Sequence, residues 1–301
     1  MQKQKEVVLN MIATISKNRT FPTWHFSMLS DRIRNNTIFE GISRMDVEGK
    51  TVFEIGTGAG LIALLFARQG AKKVVTCEVN EELAELAQYN IDKAGFSDIV
   101  TVVNMKSSEL IDKKILDFSP DIIFTETFDC GVIGEGYREI SKDIQRISND
   151  KTIVLPGLVT QYGCLVNSED MFGLNSVQDD ILGFDLSSIN QYSSQCYFPV
   201  KASVYNFESM SETFVLRPYD FKQGDVKVTH IDINPSVDSV CHGVLSYFVM
   251  DFNGVRVSND VSDISHWHQA FHPFEKPIFL SKNNSYKLMV DLNNKITIIQ
   301  N

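Results

Sequence analysis

The sequence predicts a two-part fold, an α/β domain with a parallel sheet followed by a domain of antiparallel β-strands. Between residues 50 and 155, short β-branched runs alternate with helical segments, which is typical of parallel strands joined by crossover helices. After Leu155-Pro156-Gly157 the runs alternate apolar and polar residues, as antiparallel strands do. We therefore predict an N-terminal helical cap over residues 1–49, an α/β domain over 50–155 and a β domain over 156–301.

The individual elements follow from the same periodicities. In the α/β domain we predict strands at Thr51–Ile55, Lys73–Glu78, Ile99–Val103 and Asp121–Glu126, and helices at Leu61–Gln69 and Glu81–Lys93. In the β domain we predict strands at Val159–Val166, Val226–Asp232, Gly243–Phe252, Ile278–Leu280 and Ser285–Leu292. The segment of about residues 167–198 is rich in Ser, Asn, Asp and Gly, so it is either an inserted arm or a long surface loop.

Charge and cysteine usage exclude several classes of function. The net charge of −10 argues against binding to nucleic acid or anionic membranes, and it suits a cationic substrate as well as it suits plain solubility. Five cysteines lie singly along the chain, which fits a reducing compartment better than a disulfide framework or a zinc site. Residues 1–17 lack a signal-peptide core. We predict a cytoplasmic protein with no metal site and no nucleic-acid or membrane partner.

The strongest local motif is Phe53-Glu54-Ile55-Gly56-Thr57-Gly58-Ala59-Gly60, a strand that runs into a glycine-rich turn and then a helix. Because glycine allows unusual dihedrals and leaves no Cβ between backbone and ligand, the three glycines are predicted cofactor contacts. Leu61 stands where a dinucleotide fingerprint needs its third glycine, so the motif suits a ligand without a pyrophosphate. Glu54 is predicted to bind the ligand's ammonium group, directly or through water.

Two further segments complete the predicted cofactor site. Glu78 ends the second strand, where a carboxylate can accept hydrogen bonds from both hydroxyls of a ribose. Ser107 and Ser108 follow the third strand, where an adenine edge is expected. Together these elements predict S-adenosylmethionine as the cofactor, with NAD as the alternative.

Two acids mark the predicted acceptor site. Glu126 and Glu135 flank a glycine-bracketed loop after the fourth strand, at the end of the sheet where ligands bind. Two neighbouring carboxylates are costly unless a cation lies between them, and a guanidinium offers N–H groups to both. Methyl transfer from a sulfonium is an in-line displacement that depends on positioning. The acids are predicted to fix the guanidinium, whose proton leaves as the new bond forms.

These motifs resemble those of the protein arginine methyltransferases along nearly the whole chain. The segment from Thr125 to Gly136 is similar to the family's double-E loop. Its residue sequence is most similar to that of the branch whose members often carry two catalytic modules. The resemblance implies a Rossmann-like class I methyltransferase domain followed by a β-barrel-like domain. It also implies that the arm at about 167–198 is a dimerisation arm, and therefore a head-to-tail homodimer.

The resemblance assigns further residues. His25 to Asn35 is similar to the family's N-terminal segment, which implies that Arg34 holds the cofactor carboxylate and that His25 lies near the cofactor. Ser265-His266-Trp267 is similar to the family's Thr-His-Trp loop, which walls the arginine pocket and gives His266 a catalytic role, with Asp31 as its partner. Met28 is expected beside the acceptor nitrogen. The family's usual aromatic-rich helix is replaced by Arg19–Trp24, which leaves the cofactor lid undefined.

We therefore predict an S-adenosylmethionine-dependent N-methyltransferase that acts on arginine in a protein or peptide. A close alternative is an enzyme for free L-arginine or another small guanidine compound. More remote alternatives are a catalytically silent binding module and an NAD-dependent dehydrogenase, the latter disfavoured because Leu61 breaks the dinucleotide fingerprint.

Overall fold

A parallel sheet organises the first half of the chain. The computed structural model describes residues 19–178, 180–224 and 226–299. The strands of this sheet are β1 Thr51–Ile55, β2 Lys73–Glu78, β3 Val100–Asn104, β4 Ile122–Thr125 and β5 Ile153–Leu155. Their order is β3-β2-β1-β4-β5, so the winding reverses between β1 and β4. Ligands of open α/β sheets bind at the carboxyl ends of strands beside such a reversal.

Helices cover the sheet and precede it. They are α1 Trp24–Ser30, α2 Arg32–Ser43, α3 Leu61–Arg68, α4 Glu81–Ala94, α5 Ser107–Asp112, α6 Tyr137–Ile147 and α7 Glu169–Gly173. Local sequence sets several of their ends. Asn80 caps α4 by accepting a hydrogen bond from the backbone N–H of Leu83 at 3.0 Å, and Gly95 ends α4 with a φ of 78°. Among the described residues, no helix is long and apolar enough to cross a membrane.

Antiparallel strands make up the second half. They are β6 Leu158–Asn167, β7 Phe198–Val200, β8 Glu208–Ser209, β9 Phe214–Tyr219, β10 Thr229–Ile233, β11 Ser239–Phe252, β12 Val255–Ser258, β13 Gln269–Leu280, β14 Tyr286–Val290 and β15 Ile296–Ile299. One sheet has the order β7-β13-β11-β6-β8, with β12 also paired to β11 and β9 also paired to β6, and a smaller sheet has the order β10-β14-β15.

The two halves share one apolar core. Phe124 of β4 stacks on Phe252 of β11 with ring centroids 5.9 Å apart, and Phe128 meets Phe248 of β11 edge-on at 5.5 Å. All four rings are buried in the same cluster. Because this cluster includes Phe128 itself, it fixes the segment that follows β4 between the parallel sheet and the β domain.

The predicted fold class is confirmed, since a parallel α/β sheet is followed by antiparallel sheets. The predicted strands of the α/β domain match β1 to β4 to within one residue at each end. Helices α5, α6 and α7 and strands β5, β7, β8, β9, β12 and β15 were not predicted, and β11 and β13 begin earlier than predicted, at Ser239 and Gln269. All of the missed elements except α6 are six residues long or shorter, which is too short for a clear periodic pattern. The predicted strand at 226–232 begins later, at Thr229. The part of the predicted cap at residues 1–18 lies outside the described residues.

Candidate active site

A cavity of about 1330 Å³ opens at the carboxyl ends of β1, β2 and β4 and extends to the β domain. It brings together nearly all of the site residues that the sequence predicted. Those lining it are His25, Met28, Arg34, Gly56, Gly58, Glu78, Ser107, Ser108, Glu126, Glu135, His266 and Trp267. The glycine turn therefore forms one end of the cavity, which we call the cofactor end, and the two acids form the other, the acceptor end.

The glycine turn has the backbone geometry that its sequence predicts. Gly56, Gly58 and Gly60 have φ values of 83°, 53° and 90°, which L side chains rarely adopt. The backbone N–H of Gly58 donates to Glu78 Oε2 at 3.0 Å, so the turn is tied to the end of β2. A Cβ at Gly58 would lie 3.8 Å from Met28 and 3.9 Å from His25, on the side of the turn that faces α1.

Two of the predicted cofactor residues, Gly60 and Glu54, lie outside the cavity lining. Gly60 does not line the cavity, because its left-handed conformation begins α3, where a Cβ would come within 3.4 Å of Ala87 in α4. Glu54 also lies outside the cavity lining, one layer behind the turn, with 1% of its surface exposed. Its Oε2 accepts hydrogen bonds from the hydroxyls of Thr57 and Thr76 at 2.8 and 2.7 Å.

One buried polar atom of the cavity lining at this end, and another behind it, have no hydrogen-bond partner within the described part of the chain. Among the described residues, Glu54 Oε1 and His25 Nδ1 are buried without a hydrogen-bond partner. Burial raises the pKa of Glu54 to about 7, against the lowering effect of the two threonine hydroxyls. Buried polar atoms are normally satisfied, so these two fit a ligand that brings polar groups to this end of the cavity.

The neighbouring polar residues are already held in place by the protein. The second oxygen of Glu78 accepts from the backbone N–H of Asn80 at 2.9 Å, which fixes the carboxylate at the cavity wall. The hydroxyl of Ser107 donates to Asp143 of α6 at 2.7 Å. Ser107 is therefore engaged within the protein, and we see no local sequence signal that would have predicted Asp143 as its partner.

The segment that replaces the family's usual aromatic-rich helix also lines the cavity. Trp24 stacks on His25 with ring centroids 3.9 Å apart, and Phe21 meets His25 edge-on at 5.5 Å. The backbone N–H of Thr20 donates to Glu82 in α4 at 2.8 Å, which ties the segment to the α/β domain. These aromatic side chains cover the cofactor end.

At the acceptor end, Glu126 binds a guanidinium of the protein itself. The Nε of Arg34 donates to Glu126 Oε1 at 2.9 Å, and its Nη2 contacts Oε2. Burial lowers the pKa of Arg34 to about 10, which leaves it charged at neutral pH. Arg34, which was predicted to bind the cofactor carboxylate, thus binds Glu126, which was predicted to bind the acceptor. The contact has the bidentate geometry that guanidinium and carboxylate groups favour.

Glu135 faces the same cavity and carries no hydrogen bond among the described residues. Desolvation by the cavity walls raises its pKa to about 7, and the nearby carboxylates of Asp129 and Glu78 contribute to the increase. A cation bound beside Glu135 would lower this pKa again. The acceptor end therefore favours a positively charged ligand.

The loop between the two acids is held by contacts at its centre. Asp129 Oδ1 accepts hydrogen bonds from the backbone N–H groups of Gly131 and Gly134, each at 3.1 Å. The hydroxyl of Tyr197, from the segment before β7, donates to Asp129 Oδ2 at 3.0 Å. Val132 is fully buried with a φ of 72°, which is strained for a β-branched residue and is held by its surroundings.

A buried network of hydrogen bonds joins this loop to the β domain. The amide Nδ2 of Asn294, in the turn between β14 and β15, donates to the carbonyl of Gly131 at 2.8 Å and to the hydroxyl of Tyr219 at 2.7 Å. Its Oδ1 accepts from Arg217 at 2.7 Å, and its backbone carbonyl accepts from His272 Nδ1 at 2.9 Å. The turn before β15 thus holds the acceptor loop in place.

His266 and Trp267 close the acceptor end from the β domain. The backbone N–H and the Nδ1 of His266 both contact Asp31 Oδ2 at 2.9 Å. Burial lowers the pKa of His266, whereas its hydrogen bond to Asp31 opposes that effect. Although burial alone would raise the pKa of Asp31, N–H groups of Arg34 and His266 hold it below its usual range. Trp267 stacks on Phe128 at 6.2 Å, so the indole is part of the shared core as well as the wall.

Sequence reasoning missed several residues that shape the acceptor end. Asp129 lies inside the motif that carried the family resemblance, so its position in the motif was a usable signal. Pro199 and His268 line the cavity, and Tyr197 and Asn294 support its loop, but each lies far along the chain from the acids. No local pattern links such distant positions.

Comparison with known proteins places the chain among methyltransferases. A family model described as lysine methyltransferase matches residues 8–162, just over half of the chain. An arginine N(omega)-methyltransferase of Streptomyces achromogenes subsp. streptozoticus is 32% identical over 86% of this chain and 73% of its own length. Mouse protein arginine N-methyltransferase 9 is 25% identical over 84% of this chain and 34% of its own. The chain thus spans about a third of that mammalian relative.

Solved structures share the fold. The PRMT1 enzyme–prozyme complex of Trypanosoma brucei, solved with AdoHcy, matches with a TM-score of 0.75 and 19% identity, covering 91% of this chain and 90% of that one. Protein arginine methyltransferase 10 of Arabidopsis thaliana matches with a TM-score of 0.68 and 18% identity, covering 87% and 85%. On the strength of the family model and the Streptomyces relative, the chain belongs to the arginine N-methyltransferase family, whose members are S-adenosylmethionine-dependent methyltransferases.

Proposed function

We propose that this chain transfers the methyl group of S-adenosylmethionine to a guanidino nitrogen of arginine. The observation that carries the proposal is the bidentate contact of a guanidinium, that of Arg34, with Glu126 beside a second free acid, Glu135. The site therefore has the groups to bind a guanidinium and the room to bind one from outside.

The residues at the cofactor end fit this cofactor. S-adenosylmethionine supplies an electrophilic methyl group on a sulfonium. Glu78 would accept hydrogen bonds from ribose hydroxyls, because each of its oxygens has a lone pair beyond those bound to Gly58 and Asn80. Arg34 would hold the carboxylate, and the unpaired Glu54 Oε1 would meet the ammonium group through water. Gly56 and Gly58 keep the backbone open to the ligand, and Ser108 would meet the adenine.

At the acceptor end the protein positions the nucleophile. Arg34 would leave Glu126 for the cofactor carboxylate, and Glu126 and Glu135 would then hold the guanidinium plane of the acceptor by its N–H groups, which fixes one nitrogen for in-line attack. Trp267 and Met28 would restrict its movement, Met28 beside the attacking nitrogen. The carboxylates do not remove a proton from arginine beforehand because its pKa is too high. The proton leaves as the bond forms, and His266, which lines the cavity and is oriented by Asp31, would receive it.

The description of the family model raises lysine as a different acceptor. That model covers the cofactor half and the acceptor loop but ends at residue 162, before the segment that carries His266 and Trp267. Lysine presents a single compact ammonium, which must lose its proton before it can attack, and it cannot span two carboxylates with a planar fork. The paired acids therefore favour arginine.

Two kinds of arginine acceptor remain candidates. The mammalian relative is named for protein arginine, whereas the Streptomyces relative is named for arginine alone. Methyl transfer from radiolabelled cofactor should be measured in parallel to free L-arginine, an arginine-rich peptide, a lysine-rich peptide and a protein extract. We expect label on at least one arginine acceptor and none on lysine. Labelling of lysine alone, or of nothing while the cofactor binds, would contradict the proposal.

We also propose that the chain forms a head-to-tail homodimer through the arm at about 167–198. In this segment Leu182, Phe184 and Tyr192 are 94%, 68% and 82% exposed, an apolar surface that a monomer would leave in water. Sedimentation equilibrium should give a dimer, and L182D combined with F184D should give a monomer. Phe279, exposed on β13, is the control, because F279D should not change the mass. A wild-type monomer would contradict the proposal.

A cytoplasmic location is proposed as well. The five cysteines are all free thiols in the structure, which is the expected state in a reducing compartment. Fractionation of the source cells followed by detection with an antibody should place the protein in the soluble cytoplasmic fraction. Recovery with membranes or in the medium would contradict this.

A further inference from the structure

A second, smaller cavity of about 260 Å³ lies beside the acceptor end. It shares Ser27 and the segment His266–His268 with the main cavity, so the two meet along the same wall. Its remaining lining is mostly polar and includes Lys201 and Asp263, which carry opposite charges. Nothing in the transfer of the methyl group requires these two side chains.

The sheet register places Lys201 next to the acceptor end. Pro199 and Val200 of β7 pair with Ala270 and Gln269 of β13. Lys201 directly follows β7, two residues after Pro199, which lines the main cavity. Gln269 Oε1 accepts from the backbone N–H of Ala202 at 3.0 Å, which anchors the chain directly after Lys201.

Both charged groups are free to bind a ligand. In the described ranges, Lys201 and Asp263 form no ion pair and their side chains accept or donate no hydrogen bond, although both face one cavity. The positive charge of Lys201 is also felt by His268, whose pKa is lowered first by burial and then by that lysine. The cavity thus offers one cation and one anion to an occupant.

We propose that this second cavity binds the α-carboxylate and α-ammonium groups of free arginine, with Lys201 on the carboxylate and Asp263 on the ammonium. The inference rests on the proposed function and narrows it to a small-molecule acceptor. An arginine within a polypeptide carries neither charge at its α-carbon, so it would leave Lys201 and Asp263 unmatched. A free amino acid with its guanidinium between Glu126 and Glu135 satisfies both charges, and its methylene chain runs along the shared wall at Trp267.

The test compares acceptors that differ only at the α-carbon. Free L-arginine carries both charges, agmatine lacks the carboxylate, and N-acetyl-arginine amide lacks both. For L-arginine, K201M should lower kcat/KM roughly 10- to 100-fold, the range expected for losing a hydrogen bond to a charged group. K201M should leave the kcat/KM of agmatine unchanged, and D263N should lower it for both L-arginine and agmatine. Lys276, exposed on β13 outside both cavities, is the matched control, because K276M should change neither.

The outcomes separate this inference from the proposed function. Methylation of N-acetyl-arginine amide or of a peptide as efficient as that of L-arginine would overturn the inference and leave arginine methylation intact. Equal effects of K201M on L-arginine and agmatine, or no effect on L-arginine, would also overturn it. Failure of every guanidine compound, with cofactor bound, would instead overturn the proposed function. Both substituted side chains are exposed, so loss of folding is not expected, and thermal unfolding checks this.

Discussion

At the cofactor end of the cavity, the glycine turn and the acid bound to it come from neighbouring parts of the chain. The turn from Gly56 to Gly58 takes its shape from its own glycines, and Glu78 lies at the tip of the neighbouring strand, where its carboxylate binds the turn. At the acceptor end the side chains come from distant parts of the chain. Glu126 contacts Arg34 of α2, and the loop after it is held by Tyr197 and Asn294 of the β domain.

This difference predicts different responses to substitution. The cofactor end depends on backbone dihedrals, which a single side chain can strain without disturbing the other end. The acceptor end depends on long-range contacts, so a substitution far from the acids can displace them. The two ends meet at Gly56, where a Cβ would come within 2.4 Å of Thr127, the neighbour of Glu126. Substitutions at either end, and changes of pH, should therefore affect methyl transfer and cofactor binding differently.

Replacing Glu135 should produce the largest difference between the effect on methyl transfer and the effect on cofactor affinity. E135Q removes the charge that faces the acceptor, so methyl transfer should fall on the order of 100- to 1,000-fold, as for loss of one transition-state contact. Affinity for S-adenosylhomocysteine, measured by calorimetry, should stay within about twofold. Glu85, exposed on α4, serves as the control, and E85Q should be fully active. Full activity of E135Q would refute the role of the paired acids.

Removing the side chain of Asn294 tests the support of the acceptor loop from the β domain. N294G keeps a residue that tolerates the φ of 60° but deletes the hydrogen bonds to Gly131, Tyr219 and Arg217. We expect kcat to fall roughly 10- to 100-fold, because the buried carbonyl of Gly131 loses its partner. Cofactor affinity should not change. The neighbouring Asn293 is exposed, and N293G should behave as wild type. An equal loss of cofactor affinity would contradict the separation of the two ends.

Straining the glycine turn tests the cofactor end. G58A puts a Cβ at a φ of 53°, which costs about 1–2 kcal/mol. The free turn should relax out of this conformation, and restoring it on binding should lower cofactor affinity about tenfold. Gly95 at the end of α4 also has a positive φ, 78°, and an added Cβ there would have no atom of the described residues within 4 Å. G95A should therefore lose comparable stability and keep its cofactor affinity. If both variants lose affinity equally, the turn has no special role.

The pH dependence of turnover reports on the acceptor end. Because Glu135 must be ionised to hold a guanidinium and its pKa is about 7, kcat/KM should rise with pH through that value. Below it, the rate should drop by up to about tenfold per pH unit. Steady-state assays between about pH 5.5 and 8.5 would show this rise of kcat/KM with pH. A flat profile would mean that Glu135 is already ionised, or is not needed.

The smallest effect concerns stability at the cofactor end. The pKa of Glu54 is raised from 4.5 to about 7 in the folded protein, so the folded state binds this proton more tightly than the unfolded chain does. The free energy of unfolding should therefore decrease as pH rises through this interval. E54Q removes that decrease, so its Tm relative to wild type should increase from about pH 5 to pH 8. A difference in Tm that does not vary with pH would contradict the raised pKa.

Much of the cofactor end was predictable, because its determinants are local. A strand, three glycines and an acid one strand away are close in sequence, and the order of parallel strands brings Glu78 to the turn. Gly60 and Glu54 lie behind the cavity lining for a reason that the sequence does not show. Whether a residue of such a motif faces the ligand or the helix behind it depends on packing, here the contact of Gly60 with Ala87.

By itself, the sequence determined the α/β and β halves, the backbone of the glycine turn and the identity of the two acids, since periodicity and dihedral preference act within a few residues. Only the tertiary structure decided that Arg34 lies on Glu126, that Asn294 supports the loop between the acids, and that Lys201 and Asp263 face one cavity. Each of these arrangements joins residues that are far apart in the sequence. The packing of the shared core around Phe128 and Phe248 brings them together.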